Sequence, residues 1–203
     1  DLCIGCHLCD MACSSGVNIS ELNLIAKAKY LDEKGTPLRD WLLTHSYLFS
    51  GLASFFSAIT NLLLKNRAVK WMADAFLSID RRRELPSYQF PTFRQWFRGH
   101  QPVKSKRKIA YFYGCYINTN EVDIGKATVE VLEANGFEVV LPPQECCGLP
   151  MLGNGDFRGA RKMAFKNVPP LLQAIRSGSD IVFSSTSCGH MIRHDYSRLL
   201  NIP

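Results

Sequence analysis

At 203 residues the chain has room for one or two domains, and its 46% apolar and 21% charged residues are those of a globular protein rather than a disordered one. The net charge of +6 is uneven: between Lys65 and Lys108 many Lys and Arg residues are opposed only by Asp74, Asp80 and Glu84. Such a basic middle suits an anionic membrane surface, an acidic partner or a solvated face, whereas nucleic acid ranks last because no recognised binding module accompanies the charge.

In chain order, the first feature is Cys3-Ile4-Gly5-Cys6-His7-Leu8-Cys9-Asp10-Met11-Ala12-Cys13. Its C-x2-C-x2-C-x3-C spacing is the run that wraps a 4Fe–4S cluster, with Ser14 where a proline usually follows. Cys3, Cys6 and Cys9 are expected to hold one cluster and Cys13 to reach a second. Thiols this close in sequence make strained disulfides, and structural zinc usually takes two separated CxxC pairs. A partner run and an initial methionine are absent from the sequence, so the chain reads as a fragment.

Ser20 then opens a helix over Glu21 to Lys34, stopped by Gly35-Thr36-Pro37, and Pro37 starts a second helix to about Ser46. Trp41 to Leu64 carries no charged residue and is long enough to suggest a span. Its serines, threonines and Gly51 interrupt it, and Leu48, Leu52, Phe55, Ile59 and Leu62 form a helical stripe. It reads as amphipathic, packed on a partner subunit or lying in a membrane interface. Another amphipathic helix is expected over Val69 to Ile79, followed by an extended, aromatic segment from Leu85 to Phe97 and a polar linker over 99–108.

From Lys108 strands and helices alternate: strands at 109–113, 137–141 and 180–184, and helices at 122–135, 156–176 and from Gly189 to Leu200. Pro169-Pro170 is expected to break the middle helix. The fold class is therefore α/β with a parallel sheet. Its divisions are a ferredoxin-type segment (1–34), a basic helical connector (35–107) and a cysteine-rich α/β domain (108–203).

Cys115, Cys146-Cys147 and Cys188 each follow one of the three strands. Parallel topology brings those loops to one carboxyl edge, where ligands bind in open α/β sheets. Four thiols there make a metal cluster the leading expectation, against the alternative of unrelated core cysteines. His190 reads as a ligand, a hydrogen-bond donor to a cluster sulfur, or a plain helix-face residue, the last two preferred. No acid, base or nucleophile pairing and no phosphate-binding loop stands out, which favours electron transfer over catalysis.

The cysteine after the first strand, Cys146-Cys147-Gly148 and the Cys188 turn resemble the CCG-domain family, which includes heterodisulfide reductase B subunits and the iron–sulfur subunits of glycolate and lactate oxidation. Gly16-Val17-Asn18-Ile19, Ala26-Lys27-Ala28-Lys29-Tyr30, Leu38-Arg39, Thr44-His45, Ile79-Asp80-Arg81-Arg82 and Thr92-Phe93-Arg94-Gln95-Trp96 resemble, more narrowly, the C-subunit family of anaerobic glycerol-3-phosphate dehydrogenases. The resemblance implies a non-catalytic iron–sulfur subunit that takes electrons from partner subunits carrying FAD or FMN towards menaquinone. It also implies a peripheral place on the cytoplasmic side of the inner membrane. The related alternatives are a glycolate or lactate oxidase subunit and a disulfide reductase. A zinc-stabilised scaffold without redox function is a third. Ser185 stands where the fuller family pattern has a further cysteine, which disfavours disulfide cleavage. Relatives of full length carry more sequence on both sides, so Pro203 also reads as a fragment end.

Overall fold

The computed structural model describes residues 7–200, which leaves Cys3 and Cys6 outside the described residues. The fold is α/β. Strands β1 (Lys108–Phe112), β2 (Glu138–Val140) and β3 (Asp180–Phe183) form a parallel sheet in the order β2-β1-β3. Ile109 pairs with Val139 on one side and Asp180 on the other, so β1 is central and both its edges are occupied. Its burial on both faces explains the unbroken apolar run Ile109-Ala110-Tyr111-Phe112.

Successive residues of β1 point to opposite faces, and each face has its own core. Tyr111 and Tyr113 join Phe93, Ile117, Val122, Val129 and Val139. This core is closed by helices α7 (Phe93–Gly99), α8 (Gly114–Thr119) and α9 (Val122–Ala134). Phe112 faces the other core, where Cys146, Cys147, Met151, Met163, Cys188 and Met191 are buried. There the covering elements are α10 (Leu149–Gly153), α11 (Phe157–Arg176), α12 (Thr186–His190), a π-helical turn (Met191–Asp195) and α13 (Tyr196–Leu200).

Towards the N-terminus lie α1 (Leu8–Ala12), α2 (Ile19–Lys34), α3 (Leu38–Thr44), α4 (Ser46–Phe55), α5 (Ser57–Lys65) and α6 (Arg67–Leu77). Helix α2 seats directly on the α/β part. Lys27 Nζ donates to the Gly153 carbonyl at 2.9 Å, and Glu21 pairs with Arg198. Gly155, at φ +86°, lets the chains meet: a Cβ there would lie 2.8 Å from the Ala28 nitrogen.

Several local expectations give way. The α2 N-cap is Asn18, whose side chain accepts from Glu21 N–H, while Ser20 is buried. The Trp41–Leu64 stretch is divided among α3, α4 and α5, and the axes of α4 and α5 differ by 112° across Phe56. Among the described residues no single helix is long and apolar enough to cross a membrane, although this bent pair meets the length and composition test together. Leu52, Phe55, Ile59, Leu62 and Phe76 remain largely exposed.

The expected extended segment ends early because Thr92 and Gln95 form a capping box that starts α7. Pro169 and Pro170 do not interrupt α11. The carbonyls that lose partners there belong to Phe165 and Lys166 on the exposed face, where water can serve them. The last helical run begins at Thr186, not Gly189, so Cys188 lies inside its first turn.

Candidate metal centre

Each cysteine of the α/β part is delivered by the carboxyl end of a strand. Cys115 is on α8, straight after β1; Cys146 and Cys147 are in the loop after β2; Cys188 is on α12 after β3. Cys146, Cys147 and Cys188 are buried and Cys115 is partly buried. Their sulfurs form a row. The Cys115 thiol donates to Cys146 Sγ at 3.6 Å. The free Cys147 thiol is pushed upward by its neighbours Cys146 and Cys188.

Backbone geometry lets the row close. Gly114 has φ +73°, and a Cβ there would sit 3.0 Å from Cys188 Sγ. A side chain at this position would both strain the turn and press on the sulfur. The same glycine's N–H donates to Gln144 Oε1 at 3.0 Å, while Gln144 Nε2 donates to the Tyr111 carbonyl at 3.1 Å. Gln144 thus ties the end of β1 to the loop that carries Cys146.

A second brace holds Cys146-Cys147 from beneath. Asn167 Oδ1 accepts from Glu145 N–H at 2.8 Å, and its Nδ2 donates to the Cys146 carbonyl at 3.1 Å and to Tyr196 Oη at 3.0 Å. The Tyr196 hydroxyl in turn donates to the Cys147 carbonyl at 3.0 Å. The inward-pointing carbonyls of the turn therefore have fixed partners.

The electrostatics alternate along the row. Donation from Cys115, then Cys147, holds the Cys146 thiol well below its ordinary range, with the Gly148 N–H assisting. Cys188 is lowered by its bond from Cys147, with the Ser185 hydroxyl also favouring the thiolate. Cys115 is raised by its bond to Cys146 and by burial, and Cys147 by its bonds to Cys146 and Cys188. A cavity of about 120 Å³ opens onto Cys115 and Cys146, bordered by Tyr47 and Ser50 of α4 and by Arg94.

Among the described residues no three His, Cys, Asp or Glu side chains surround a position for a single metal ion. The Cys115 and Cys146 sulfurs lie 3.6 Å apart, and Cys147 and Cys188 act electrostatically on the same group of thiols. This all-thiol set, without carboxylate or imidazole ligands, is the soft donor chemistry of iron–sulfur clusters as well as of zinc.

The N-terminal run is only partly described. Cys9 lies on α1, its thiol raised by partial burial and then by the adjacent Asp10 carboxylate. Cys13 follows that helix and its sulfur accepts from Val17 N–H at 3.3 Å. His190 makes no hydrogen bond to a cysteine sulfur among the described residues. Its ring packs on those of His7 and His194, and Nε2 lies 3.9 Å from Asp195 Oδ2.

Sequence reading missed Gln144, Asn167, Tyr196 and the supporting role of Ser185. For Asn167 a signal existed: it interrupts the apolar stripe Ala160, Met163, Ala164, Leu171 of α11.

Residues 109–193 match the family model described as a cysteine-rich domain, CCG. Over that span the chain is similar to the CCG family. Its matched span takes in all four cysteines of the row. Over 192 residues the chain is 37% identical to the C subunit of anaerobic glycerol-3-phosphate dehydrogenase from Escherichia coli (strain K12), covering 93% of this chain and 48% of that protein. It is 32% identical over 92 residues to the B subunit of fumarate reductase (CoM/CoB) from Methanothermobacter marburgensis, covering 45% of this chain and 18% of that protein. It is 37% identical over 90 residues to lactate utilization protein A of Bacillus thuringiensis (strain Al Hakam), covering 44% of this chain and 36% of that protein. The chain spans about half the length of the dehydrogenase subunits it matches. No solved structure matches it.

Proposed function

We propose that the chain is an iron–sulfur electron-transfer subunit of an anaerobic glycerol-3-phosphate dehydrogenase. In this reading it accepts electrons from a flavin-bearing partner (FAD or FMN) and passes them towards menaquinone. The observation that carries the proposal is the row of four cysteine sulfurs, Cys115-Cys146-Cys147-Cys188, inside the CCG domain. Similarity to the Escherichia coli protein over nearly the whole chain supports the dehydrogenase type.

Cys115, Cys146, Cys147 and Cys188 would hold a cluster of the 4Fe–4S class, and Cys3, Cys6, Cys9 and Cys13 would serve ferredoxin-type centres. Such groups supply one-electron redox chemistry. The protein's own part is to present thiolates, which the bonds into Cys146 and Cys188 favour, and to keep water from them by burial. Loading would exchange the Cys115–Cys146 contact for metal–sulfur bonds. The division into a ferredoxin-type segment (1–34), a connector (35–107) and the CCG domain (108–203) belongs to the same proposal.

Peripheral contact with the cytoplasmic face of a membrane is supported by the exposed apolar side chains of α4–α6. The basic residues Lys65, Arg67, Lys70 and Arg81–Arg83 lie beside them in the sequence. Apolar area together with cationic side chains is the composition that binds anionic lipid.

Iron, zinc and acid-labile sulfide per chain, measured on anaerobically purified protein with low-temperature EPR before and after dithionite, test the reading. Iron and sulfide with a reducible signal are expected, and Cys146→Ser should remove the CCG-domain signal. Zinc without sulfide in a folded chain would overturn it.

A further inference from the structure

Helix α11 buries one side and leaves the other bare. Ala160, Met163, Ala164, Asn167 and Leu171 are buried towards the cysteine-bearing core. On the opposite side Arg158, Lys162, Phe165, Pro169, Leu172 and Arg176 recur at alternating spacings of four and three, and all are exposed. Phe165, Pro169 and Leu172 make an apolar middle with cations at both ends. The 20 residues of the helix give this face a length of about 30 Å.

The charges here do not serve the helix itself. It carries Arg158, Arg161, Lys162, Lys166 and Arg176 and no acidic residue. Arg158 lies in the first turn, where the helix dipole disfavours a cation. Arg158, Lys162 and Lys166 follow one another at i, i+4, so each repels the next. Arg161 lies over the Phe165 ring, 5.6 Å from its centroid, and Lys166 Nζ is 4.0 Å from Glu145 Oε1. Arg158, Lys162 and Arg176 make no ion pair among the described residues.

Three observations select the occupant. An apolar centre rimmed by charge is the anatomy of a protein–protein contact. Pro169 and Pro170 leave the Phe165 and Lys166 carbonyls without helical donors, and a protein surface can donate to them where lipid tails cannot. A second copy of α11 would set cations against cations, which leaves an acidic partner. The place of the face names which one. Asn167, on the inward side, donates to the Cys146 carbonyl at 3.1 Å, so the thickness of one helix, about 10–12 Å, separates a docked surface from the Cys146-Cys147 turn. Electron transfer slows steeply with distance, and this nearness suits the partner that supplies electrons.

We infer that the outer face of α11 is the docking surface for the flavin-bearing partner, which meets it with carboxylates around an apolar patch. The inference rests on the electron-transfer reading above and adds the surface and the partner's charge.

The test titrates the iron–sulfur-loaded chain with the purified flavin-bearing subunit of the dehydrogenase at low and high ionic strength. It compares wild type with the double variant Arg158→Glu/Lys162→Glu, with Leu172→Ser, and with Lys29→Glu on α2 as a control. Iron, sulfide and the thermal unfolding midpoint are followed in each. Wild-type binding is expected to weaken with salt. The double variant should bind about tenfold or more weakly while keeping its iron and sulfide. Its unfolding midpoint should be unchanged or higher, because an acid suits the first turn of a helix. Leu172→Ser should weaken binding at both ionic strengths, and Lys29→Glu should bind as wild type does.

Unchanged binding by the double variant overturns the inference, as does a wild-type chain that does not bind the flavin-bearing subunit. Loss of iron or of thermal stability alongside binding overturns it too, since the charges would then be structural. So does a wild-type chain that binds phosphatidylglycerol vesicles through these cations and not the subunit. With iron and sulfide present, each of these outcomes leaves the iron–sulfur reading standing; their absence from the wild-type chain overturns both.

Discussion

Asn167 offers the sharpest test of how the fold builds its cysteine row. Its side chain has no exposure and makes three hydrogen bonds: to Glu145 N–H, the Cys146 carbonyl and Tyr196 Oη. At about 1 kcal/mol net per bond, Asn167→Ala is expected to cost about 3 kcal/mol. Tyr196→Phe removes the bond to Asn167 and the bond to the Cys147 carbonyl, so about 2 kcal/mol follows from the same rule. The two residues share one bond. The double variant should therefore lose about 1 kcal/mol less than the sum of the single variants. Anaerobic urea denaturation of the cluster-free protein, with unchanged slope, reads these differences directly. A loss under about 0.5 kcal/mol for Asn167→Ala, or strict additivity of the pair, would refute the idea that this brace fixes the Cys146-Cys147 turn.

Gly125→Ala places a methyl group 2.5 Å from Phe93 Cδ2 and 2.9 Å from Ile117 Cγ2 in the core built around Phe93, so overpacking should lower stability by about 1–3 kcal/mol in the same assay. Gly155→Ala should loosen α2 from the α/β part, seen as faster proteolysis within α2 while the strands β1 to β3 stay protected. Asp195 is held above the ordinary carboxylate range by burial, against the pull of His190 and Arg198. The folded state therefore favours its protonated form, and this contribution is full below about pH 3.9 and lost as pH rises through the folded value. The stability of Asp195→Asn relative to wild type should rise as pH climbs above about 4 in urea titrations, and a flat difference would refute the assignment.

The sequence carried the features that depend on near neighbours. The apolar run at Ile109–Phe112, the glycine after α9 and the basic turn at Arg81–Arg83 are local patterns, and strand–helix alternation already implied a parallel sheet. Once the strands were placed, topology alone put Cys115, Cys146, Cys147 and Cys188 on one edge, because parallel strands end on the same side. Periodicity misled where a wider context wins. Pro169-Pro170 would break an isolated helix, but α11 is held by its buried face and opens its unpaired carbonyls outward. The apolar stripe from Leu48 to Leu63 kept its period across Phe56, where the chain nevertheless turns by 112°.

Contacts between residues far apart in the chain had no local signature. The break that Asn167 makes in the apolar stripe of α11 marks a buried polar residue but not its partner at the Cys146-Cys147 turn, and nothing near His7 announces His190. Side-chain type and spacing fix which elements form and which chemistry they carry. The packing of α11 against the sheet, and of α2 against the chain at Gly153 and Gly155, fixes which of those side chains meet, since that choice depends on how whole surfaces fit together.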